Sequence, residues 1–275
     1  MTMVNSLPCR PVYVAPWAWL ALHAMALWPH GLWAARRLAD GSDDPLGLAA
    51  ALALVVILAR LAATLRVQPS LGWLAAGAVL TAAATAAWLL APPLPAAMLA
   101  ALALAAHIAA WLPAGVARAP LGGLALLALP LVASLQFYVG YPLRVFTAEF
   151  SAWLLQAAGQ TAERSGAAMT VNGHLVIVDA PCSGVQMAWL AYFSACTVAA
   201  FVGLRDRRFL QRLPLVGLLV LTGNVLRNSL LVGLEARPQG LGPAWHEAIG
   251  LVMLMIVIGL TVRLMSPTHR TGVSS

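Results

Sequence analysis

The stretch "LGLAAALALVVILARLAAT" at residues 46–64 decides the fold class, because it is long, apolar and carries a single charge, on Arg60. A helix of about 20 apolar residues crosses a lipid bilayer. The whole chain of 275 residues has this character, with 61% hydrophobic and 9% charged residues and a mean hydropathy of +0.86. Soluble globular domains are about 45–50% apolar and about 25% charged. The sequence therefore predicts an integral membrane protein.

Eight apolar runs follow one another along the chain, separated by short polar or proline-containing joints. Their hydrophobicity is continuous rather than alternating, which favours helices over the strands of a barrel. We predict an all-α fold, a polytopic transmembrane helix bundle with about eight spans. The predicted spans cover residues 12–29, 46–64, 71–91, 94–112, 119–139, 184–203, 213–235 and 246–265.

The longest stretch outside the spans lies between the fifth and the sixth, at about residues 140–183. Apolar residues recur there at helical spacing, which predicts a short extracytoplasmic helix lying in the membrane interface. These residues are Phe146, Phe150, Trp153, Leu154 and Ala157. Downstream, Asn172-Gly173 is flanked by β-forming residues and predicts a hairpin with arms at about 168–171 and 174–179.

Arginine placement orients the chain in the bilayer. All 16 basic residues are arginine. They are spread between the apolar runs rather than clustered on one face, so the sequence pI of about 10.4 does not predict nucleic-acid binding. With a cytoplasmic N-terminus, more arginines face the cytoplasm than the exterior, in agreement with the positive-inside rule. The cytoplasmic set is Arg10, Arg60, Arg66, Arg118, Arg205, Arg207, Arg208, Arg212, Arg263 and Arg270, and the outer set is Arg36, Arg37, Arg144, Arg164 and Arg237.

The segment "VDAPCSGVQM" at residues 178–187 places Cys182 where the soluble stretch gives way to the sixth span. The basic loop "RDRRFLQR" at 205–212 makes that span run from outside to inside, so Cys182 is predicted at its extracytoplasmic mouth. Two interpretations stay open, a small residue that helps the helix to begin and a nucleophile. Ser183 and Gly184 follow Cys182, and a helix N-terminus stabilises a thiolate.

Of the other two cysteines, Cys196 is predicted to be an inert packing residue, while lipidation is one interpretation of Cys9. Cys196 lies in the middle of the sixth span among small residues, and Cys9 lies near the cytoplasmic end of the chain. Three cysteines do not make a disulfide framework. The sequence contains no metal-ligand spacing such as CxxC or HExxH. We therefore expect neither a metal nor another cofactor.

Arg227 lies inside the seventh span, where a charged side chain costs a few kcal/mol and usually faces a polar cavity. Asn224 and Asn228 share its helix face at i, i+3 and i+4 spacing. One interpretation is an arginine that reaches to the lipid headgroups. The two amides favour a polar site buried in the bundle instead.

His246 stands at the first turn of the eighth span and is a candidate base. His174, eight residues before Cys182 at the hairpin turn, is a second candidate. Arg144, in "GYPLR", lies on the same outer side and is expected to contact either headgroups or a substrate carboxylate. The predicted topology thus brings Cys182, Arg227 and His246 to the outer leaflet from three consecutive helices.

These motifs resemble those of the exosortase/archaeosortase family, through "PCSG" at 181–184, "NVLR" at 224–227, "HEAIG" at 246–250 and "GYPLR" at 140–144. The resemblance covers about residues 135–265. It implies a multi-span membrane cysteine transpeptidase of the bacterial cytoplasmic (inner) membrane, with its active site facing the periplasm or exterior. Cys182 would be the nucleophile, Arg227 the stabiliser of the thiolate or oxyanion, and His246 the proton-transfer group.

The resemblance also implies a substrate class and a division of the chain. Substrates would be exported proteins in the lipid bilayer that end in a sorting signal, a short motif such as Pro-Glu-Pro followed by a membrane helix and a basic cluster. We expect residues 1–118 to hold substrate or act as accessory helices, 119–270 to form the catalytic core, and 271–275 to be a tail.

Three functions remain open from the sequence. The thioester on Cys182 would be resolved either by an acceptor amine or hydroxyl, or by water, which would be cleavage without transfer. The third is non-enzymatic, a transporter or lipid-binding assembly factor in which Arg227 with Asn224 and Asn228 binds an anion and Cys182 is incidental.

Overall fold

The computed structural model of the chain describes residues 15–235 and 242–267, in which there are eleven α-helices and one small β-sheet that packs on α8. Residues 12–14 of the first predicted span, Cys9, Arg10, Arg237, Arg270 and the predicted tail 271–275 lie outside the described residues. The elements are α1 (Pro16–Ala26), α2 (Trp28–Ala39), α3 (Leu46–Leu61), α4 (Leu71–Leu90), α5 (Pro93–Trp111), α6 (Ala119–Leu127), α7 (Val132–Tyr138), α8 (Gly140–Ala157), β1 (Ala162–Ser165), β2 (Ala168–Val171), β3 (His174–Ile177), α9 (Val185–Phe201), α10 (Asp206–Glu235) and α11 (Pro243–Met265).

The predicted all-α polytopic membrane bundle is confirmed, but with fewer helices of spanning length than the eight predicted. In the described part of the chain, five helices are long and apolar enough to cross a membrane, and the bent pair α6 and α7 would make a sixth. They are α3 with the 3-10 turn after it, α4, α5, α10 and α11. The apolar α9 has 17 residues, which is near the lower limit of about 17 for a span.

Proline explains where the predicted spans are broken. The first divides at Leu27, where α2 begins with Pro29 in its first turn, a position that proline favours. The fifth divides into α6 and α7, whose axes differ by 86°. Pro130 lies between them and disfavours helical geometry at the residue before it. An apolar run of sufficient length therefore did not guarantee a straight helix.

Distant carboxylates hold the N-termini of the two halves of this bent pair. Asp206 Oδ1 accepts the backbone N–H groups of Arg118 and Ala119 at 2.8 Å each, where α6 begins. Asp43 Oδ1 accepts the backbone N–H of Ala133 at 3.1 Å, in the first turn of α7. A carboxylate at a helix N-terminus satisfies donors that the helix itself leaves unpaired. The bend is therefore fixed by contacts from elsewhere in the bundle, and it aims α7 at the turn before α9.

The predicted hairpin is confirmed and gains a third strand. Asn172 (φ +51°) and Gly173 (φ +83°) form its two-residue turn, as expected for the turn type that Asn-Gly favours. The sheet order is β1-β2-β3 and both pairs are antiparallel. The sequence analysis missed β1, because "AERS" is largely polar and has no apolar alternation.

A helix, α8, forms where the interfacial helix was predicted, and its two faces differ in chemistry. The aromatic residues Phe146, Phe150 and Trp153 are exposed, with adjacent ring centroids 4.4 and 5.1 Å apart. The opposite face is buried against α10 and the sheet and carries Thr147 and Ser151. This buried face brings α8 under the sheet and beside the polar face of α10.

Candidate active site

Cys182 lies in a single 3-10 turn, Ala180–Ser183, that joins β3 to α9. Its backbone N–H donates to Asp179 O at 2.9 Å. Gly184 then caps α9 with a left-handed backbone (φ +85°), a conformation that glycine adopts without a steric penalty. The half-buried thiol therefore lies two residues ahead of Gly184, just before the helix, as the predicted span beginning at residue 184 implies.

The electrostatic environment of Cys182 differs from the one expected at a helix N-terminus. Burial raises the pKa of the Cys182 thiol, the Arg227 guanidinium acts in the opposite direction, and the Asp179 carboxylate adds to the rise. Desolvation disfavours the charged form of any acid, so it outweighs the nearby cation here. The direction of this shift is opposite to the one that a helix N-terminus alone favours.

Asn224 ties the "NVLR" segment of α10 to the Cys182 turn. Its Nδ2 donates to Cys182 O and to Thr147 Oγ1, both at 3.0 Å. A Cβ on Gly184 would lie 2.9 Å from Asn224 Cγ, closer than real Cβ contacts allow. Gly184 is thus required twice, once for its left-handed backbone and once for the close approach of the amide. Two of the motifs noticed in the sequence pack directly on one another.

Arg227 ties the same segment to α11 through Gly250. A Cβ on Gly250 would lie 3.2 Å from Arg227 Nε and 3.3 Å from one terminal guanidinium nitrogen, so the guanidinium occupies the space that a side chain would take. Its effect on the pKa of Cys182 places the same cation near the thiol. Arg227 therefore lies between the Cys182 turn and α11, and it accounts for the glycine of "HEAIG".

One cavity of about 310 Å³ is lined by both Cys182 and His246. Its remaining walls come from β3 and from the C-terminal end of α10. They are Val176, Ile177, Asn228, Leu231, Val232 and Glu235. His246 is exposed at the start of α11, so the cavity is open to solvent on the side of the imidazole. Cys182 and His246 thus border one space, and Arg227 is near enough to act on the thiol.

Asn228 supports this arrangement from within the bundle. It is 4% exposed, and its Nδ2 donates to Ser151 Oγ at 3.0 Å. Ser151 Oγ in turn donates to Val225 O at 3.3 Å. Two buried hydrogen bonds therefore join α10 to α8, one between Asn224 and Thr147 and one between Asn228 and Ser151. Buried polar groups that are hydrogen-bonded in this way fix the relative position of the two helices.

Ser183 is a structural partner of the turn. Its Oγ donates to Gln136 Oε1 at 2.8 Å and accepts the Val185 N–H at 3.3 Å. Gln136 belongs to α7, so the bend after α6 delivers it here. The sequence analysis missed Gln136, Thr147 and Ser151. The i, i+4 spacing of Thr147 and Ser151, on the face of α8 opposite the aromatic residues, was the available signal.

His174 and Arg144 are not brought to the cavity. His174 begins β3 beside the hairpin turn and is exposed, and it is absent from the lining of the cavity that holds Cys182. The Arg144 guanidinium lies 5.7 Å from the centre of the Tyr141 ring on α8. Glu235, which the sequence analysis did not single out, lines the cavity instead. Within residues 15–235 and 242–267, no group of three or more His, Cys, Asp or Glu side chains could hold a metal ion.

The family model of transmembrane exosortase matches residues 33–263, most of the chain. The chain belongs to the exosortase family. No curated protein and no solved structure matches it significantly. The match covers all four motifs of this exosortase and also most of the N-terminal helices, which showed no specific resemblance in their sequence. This exosortase is therefore a multi-pass membrane protein whose family assignment rests on nearly the whole helix bundle.

Replacing Gly250 with valine is expected to push Arg227 away from Cys182, because the guanidinium fills the space beside Gly250. The pKa of Cys182 should then rise further, and alkylation by iodoacetamide at a fixed pH near neutrality should slow by roughly tenfold for each unit of rise. Gly259→Val on the same helix is the matched control, since no described atom outside α11's own backbone lies within 4 Å of a Cβ there. Equal alkylation rates in the two variants would show that Gly250 does not position Arg227.

Proposed function

We propose that this chain is a membrane cysteine transpeptidase or protease that cleaves C-terminal sorting signals of exported proteins. The observation that carries the proposal is the shared cavity of Cys182 and His246, with Arg227 close enough to oppose the rise in the pKa of the same thiol. A nucleophile, a base and a fixed cation are the three groups that acyl transfer through a thioester requires.

The raised pKa of the Cys182 thiol fits a mechanism in which His246 acts as base. His246 takes the thiol proton, and the thiolate attacks the scissile carbonyl to give a tetrahedral oxyanion. The Arg227 guanidinium, which stays protonated, stabilises that negative charge. Collapse breaks the C–N bond, the leaving amine takes the proton from the His246 imidazolium, and the acyl group remains on Cys182 as a thioester.

The second half of the reaction decides between transfer and hydrolysis. An acceptor amine or hydroxyl, or a water molecule, gives up its proton to His246 and attacks the thioester, which releases the Cys182 thiolate. The thiolate then recovers the proton. The cavity is open beside the exposed His246, so either kind of acceptor has a path to the thioester. Neither a metal nor a nucleotide enters these steps.

The excess of arginines on the opposite side of the bilayer supports an active site outside the cytoplasm. Arg205 directly precedes α10, and Arg207 and Arg208 lie in the first turn of α10, at the end of the helix away from the Cys182 cavity. By the positive-inside rule that end faces the cytoplasm. The substrate's membrane helix would lie in the bilayer against the bundle and its cleavage motif would reach Cys182 at the outer surface, where the protein is then passed on for attachment or release.

Mass spectrometry of the processed substrate is the test of this function. A tagged substrate with a C-terminal sorting signal is expressed with the exosortase and without it. We expect the tagged protein to lose its signal only when the exosortase is present. A free carboxylate at the new C-terminus would mean hydrolysis, and a linked group would mean transfer. Retention of the intact signal in both strains would overturn the proposal.

A further inference from the structure

The strand β3 is an edge of the sheet, and it borders the cavity that contains Cys182. The sheet order β1-β2-β3 leaves β3 paired on one side only. Val176 and Ile177 line the cavity together with Cys182 and His246. Cys182 follows Ile177 by five residues along the chain. The unpaired side of the strand is thus continuous with the space where the nucleophile lies.

The hydrogen-bond register shows which backbone groups point out of the sheet. The pairs Val171↔His174 and Met169↔Val176 alternate with Thr170↔Leu175 and Ala168↔Ile177. A two-residue hairpin closes on a hydrogen-bonded pair, and such pairs then recur at every second position. The Val178 N–H bond to Ala167 O, 2.9 Å long, fits this alternation.

The N–H and C=O groups of Leu175 and Ile177 therefore face away from β2. Among the residues that the structure describes, no other backbone group is bonded to them. These two residues are about 6.8 Å apart along the strand, at about 3.4 Å per residue. In a β-ladder, every second residue of a strand bonds to the same neighbouring strand. Leu175 and Ile177 could therefore each form hydrogen bonds to an added strand, with one residue of that strand between the two bonded positions.

The two edges of the sheet differ in a way that favours an occupant at β3. The far edge, β1, carries charged Glu163 and Arg164, and Arg164 forms an ion pair with Glu149. Charges of this kind normally protect exposed edges from pairing with other chains. By contrast, β3 exposes Leu175 (68%) and Ile177 (59%) and has no charged residue between positions 175 and 178. The unprotected edge is the one beside the nucleophile.

We infer that the cleavage segment of the substrate binds as an extended fourth strand along β3. Backbone hydrogen bonds to Leu175 and Ile177 would hold the segment, while the apolar side chains of these residues cover one of its faces. An extended peptide also exposes its carbonyl groups, so the scissile carbonyl can enter the cavity toward Cys182. This inference rests on the proposed function and adds that recognition is carried largely by the substrate backbone.

A proline at position 177 tests the edge, because it removes the outward N–H of Ile177 and leaves the bonds to β2 in place. We expect Ile177→Pro to lower kcat/KM for a tagged sorting-signal substrate by about tenfold, the effect of one lost backbone hydrogen bond. Ile177→Ala, which keeps the N–H, should lose less than Ile177→Pro. Alkylation of Cys182 by iodoacetamide should respond alike to both substitutions, since each removes the Ile177 side chain from the cavity. Wild-type processing by Ile177→Pro would overturn the inference.

Photo-crosslinking tests the same edge without relying on proline. Benzoylphenylalanine replaces Leu175 or Ile177, or Glu163 on β1 as the matched control, in the full-length Cys182→Ala chain with the tagged substrate. We expect crosslinks from positions 175 and 177 and none from 163. Equal crosslinking from 163 and 177 would overturn the edge inference alone. Continued processing by Cys182→Ala would instead overturn the proposed function, so the two failures are distinguishable.

Discussion

Replacing Cys182 with alanine is expected to abolish removal of the sorting signal, by at least about 1,000-fold in rate. Cys182 is the cysteine that lines the cavity with His246, and without its sulfur no thioester can form. Cys182→Ser should also be strongly impaired, because a buried hydroxyl ionises far less readily than a thiol. The measurement is the fraction of tagged substrate processed over time in cells that carry each variant.

Cys196→Ala is the matched control for the loss of a thiol. Cys196 is 3% exposed in the middle of α9, and its Sγ fills the space beside Gly123 of α6. It is remote from the cavity of Cys182 in the fold, so processing should continue at the wild-type rate. Processing by Cys182→Ala at the normal rate would remove the nucleophile assignment and leave a non-enzymatic role for the family fold.

Replacing Arg227 with glutamine is expected to lower the rate of processing by about 100-fold or more, the usual cost of losing one group that stabilises an oxyanion. Arg227→Lys tests whether charge alone suffices. A lysine keeps the charge but offers no planar guanidinium to fill the space beside Gly250. We expect Arg227→Lys to recover only part of the activity, measured with the same tagged substrate.

The Arg227→Gln variant also makes a pH prediction that does not depend on the substrate. Burial raises the pKa of the Cys182 thiol and the Arg227 guanidinium opposes that rise. Without the guanidinium the opposition is lost, so the pKa should rise further. The rate of iodoacetamide alkylation should then increase through a midpoint at higher pH than in the wild type. A midpoint that is unchanged or lower would show that Arg227 does not act on the thiol.

Arg208→Gln is the control for this pair of measurements. Arg208 is exposed near the start of the same helix, about 28 Å from Arg227 at 1.5 Å per residue. Its replacement should leave both the processing rate and the alkylation profile unchanged. An alkylation midpoint in Arg227→Gln that stays above that of a solvent-exposed thiol would show that Cys182 is still buried and the variant folded, which separates loss of chemistry from loss of structure.

The sequence predicted those features of the fold that depend on local chemistry. Continuous apolar runs predicted helices, since the free energy of transferring a segment into lipid depends on its own composition. Asn172-Gly173 predicted its turn because few residues tolerate two successive positive φ angles. The same local rule failed at Pro130, where the fifth apolar run is bent into α6 and α7. Carboxylates from distant segments, Asp43 and Asp206, hold the two pieces.

The candidate site, too, could be predicted from the sequence only in part. The residue types of Cys182, Arg227 and His246, and their order in the predicted topology, were enough to predict a shared site. The sequence could not show that burial raises the pKa of the thiol, because desolvation depends on which atoms surround the sulfur. The sequence also could not show that His174 is absent from the cavity lining, because a separation of eight residues from Cys182 does not determine where the side chain lies.

By itself, the amino-acid sequence determined that this protein is a helical membrane bundle and which three side chains are candidates for its chemistry. Only the tertiary structure decided how the motifs interlock, with Gly184 against Asn224 and Gly250 against Arg227, and that an open strand edge runs into the cavity. The physical reason is the separation along the chain over which each effect acts. Hydrophobicity and turn preference are properties of neighbouring residues, whereas packing, desolvation and strand order depend on contacts between segments far apart in the chain.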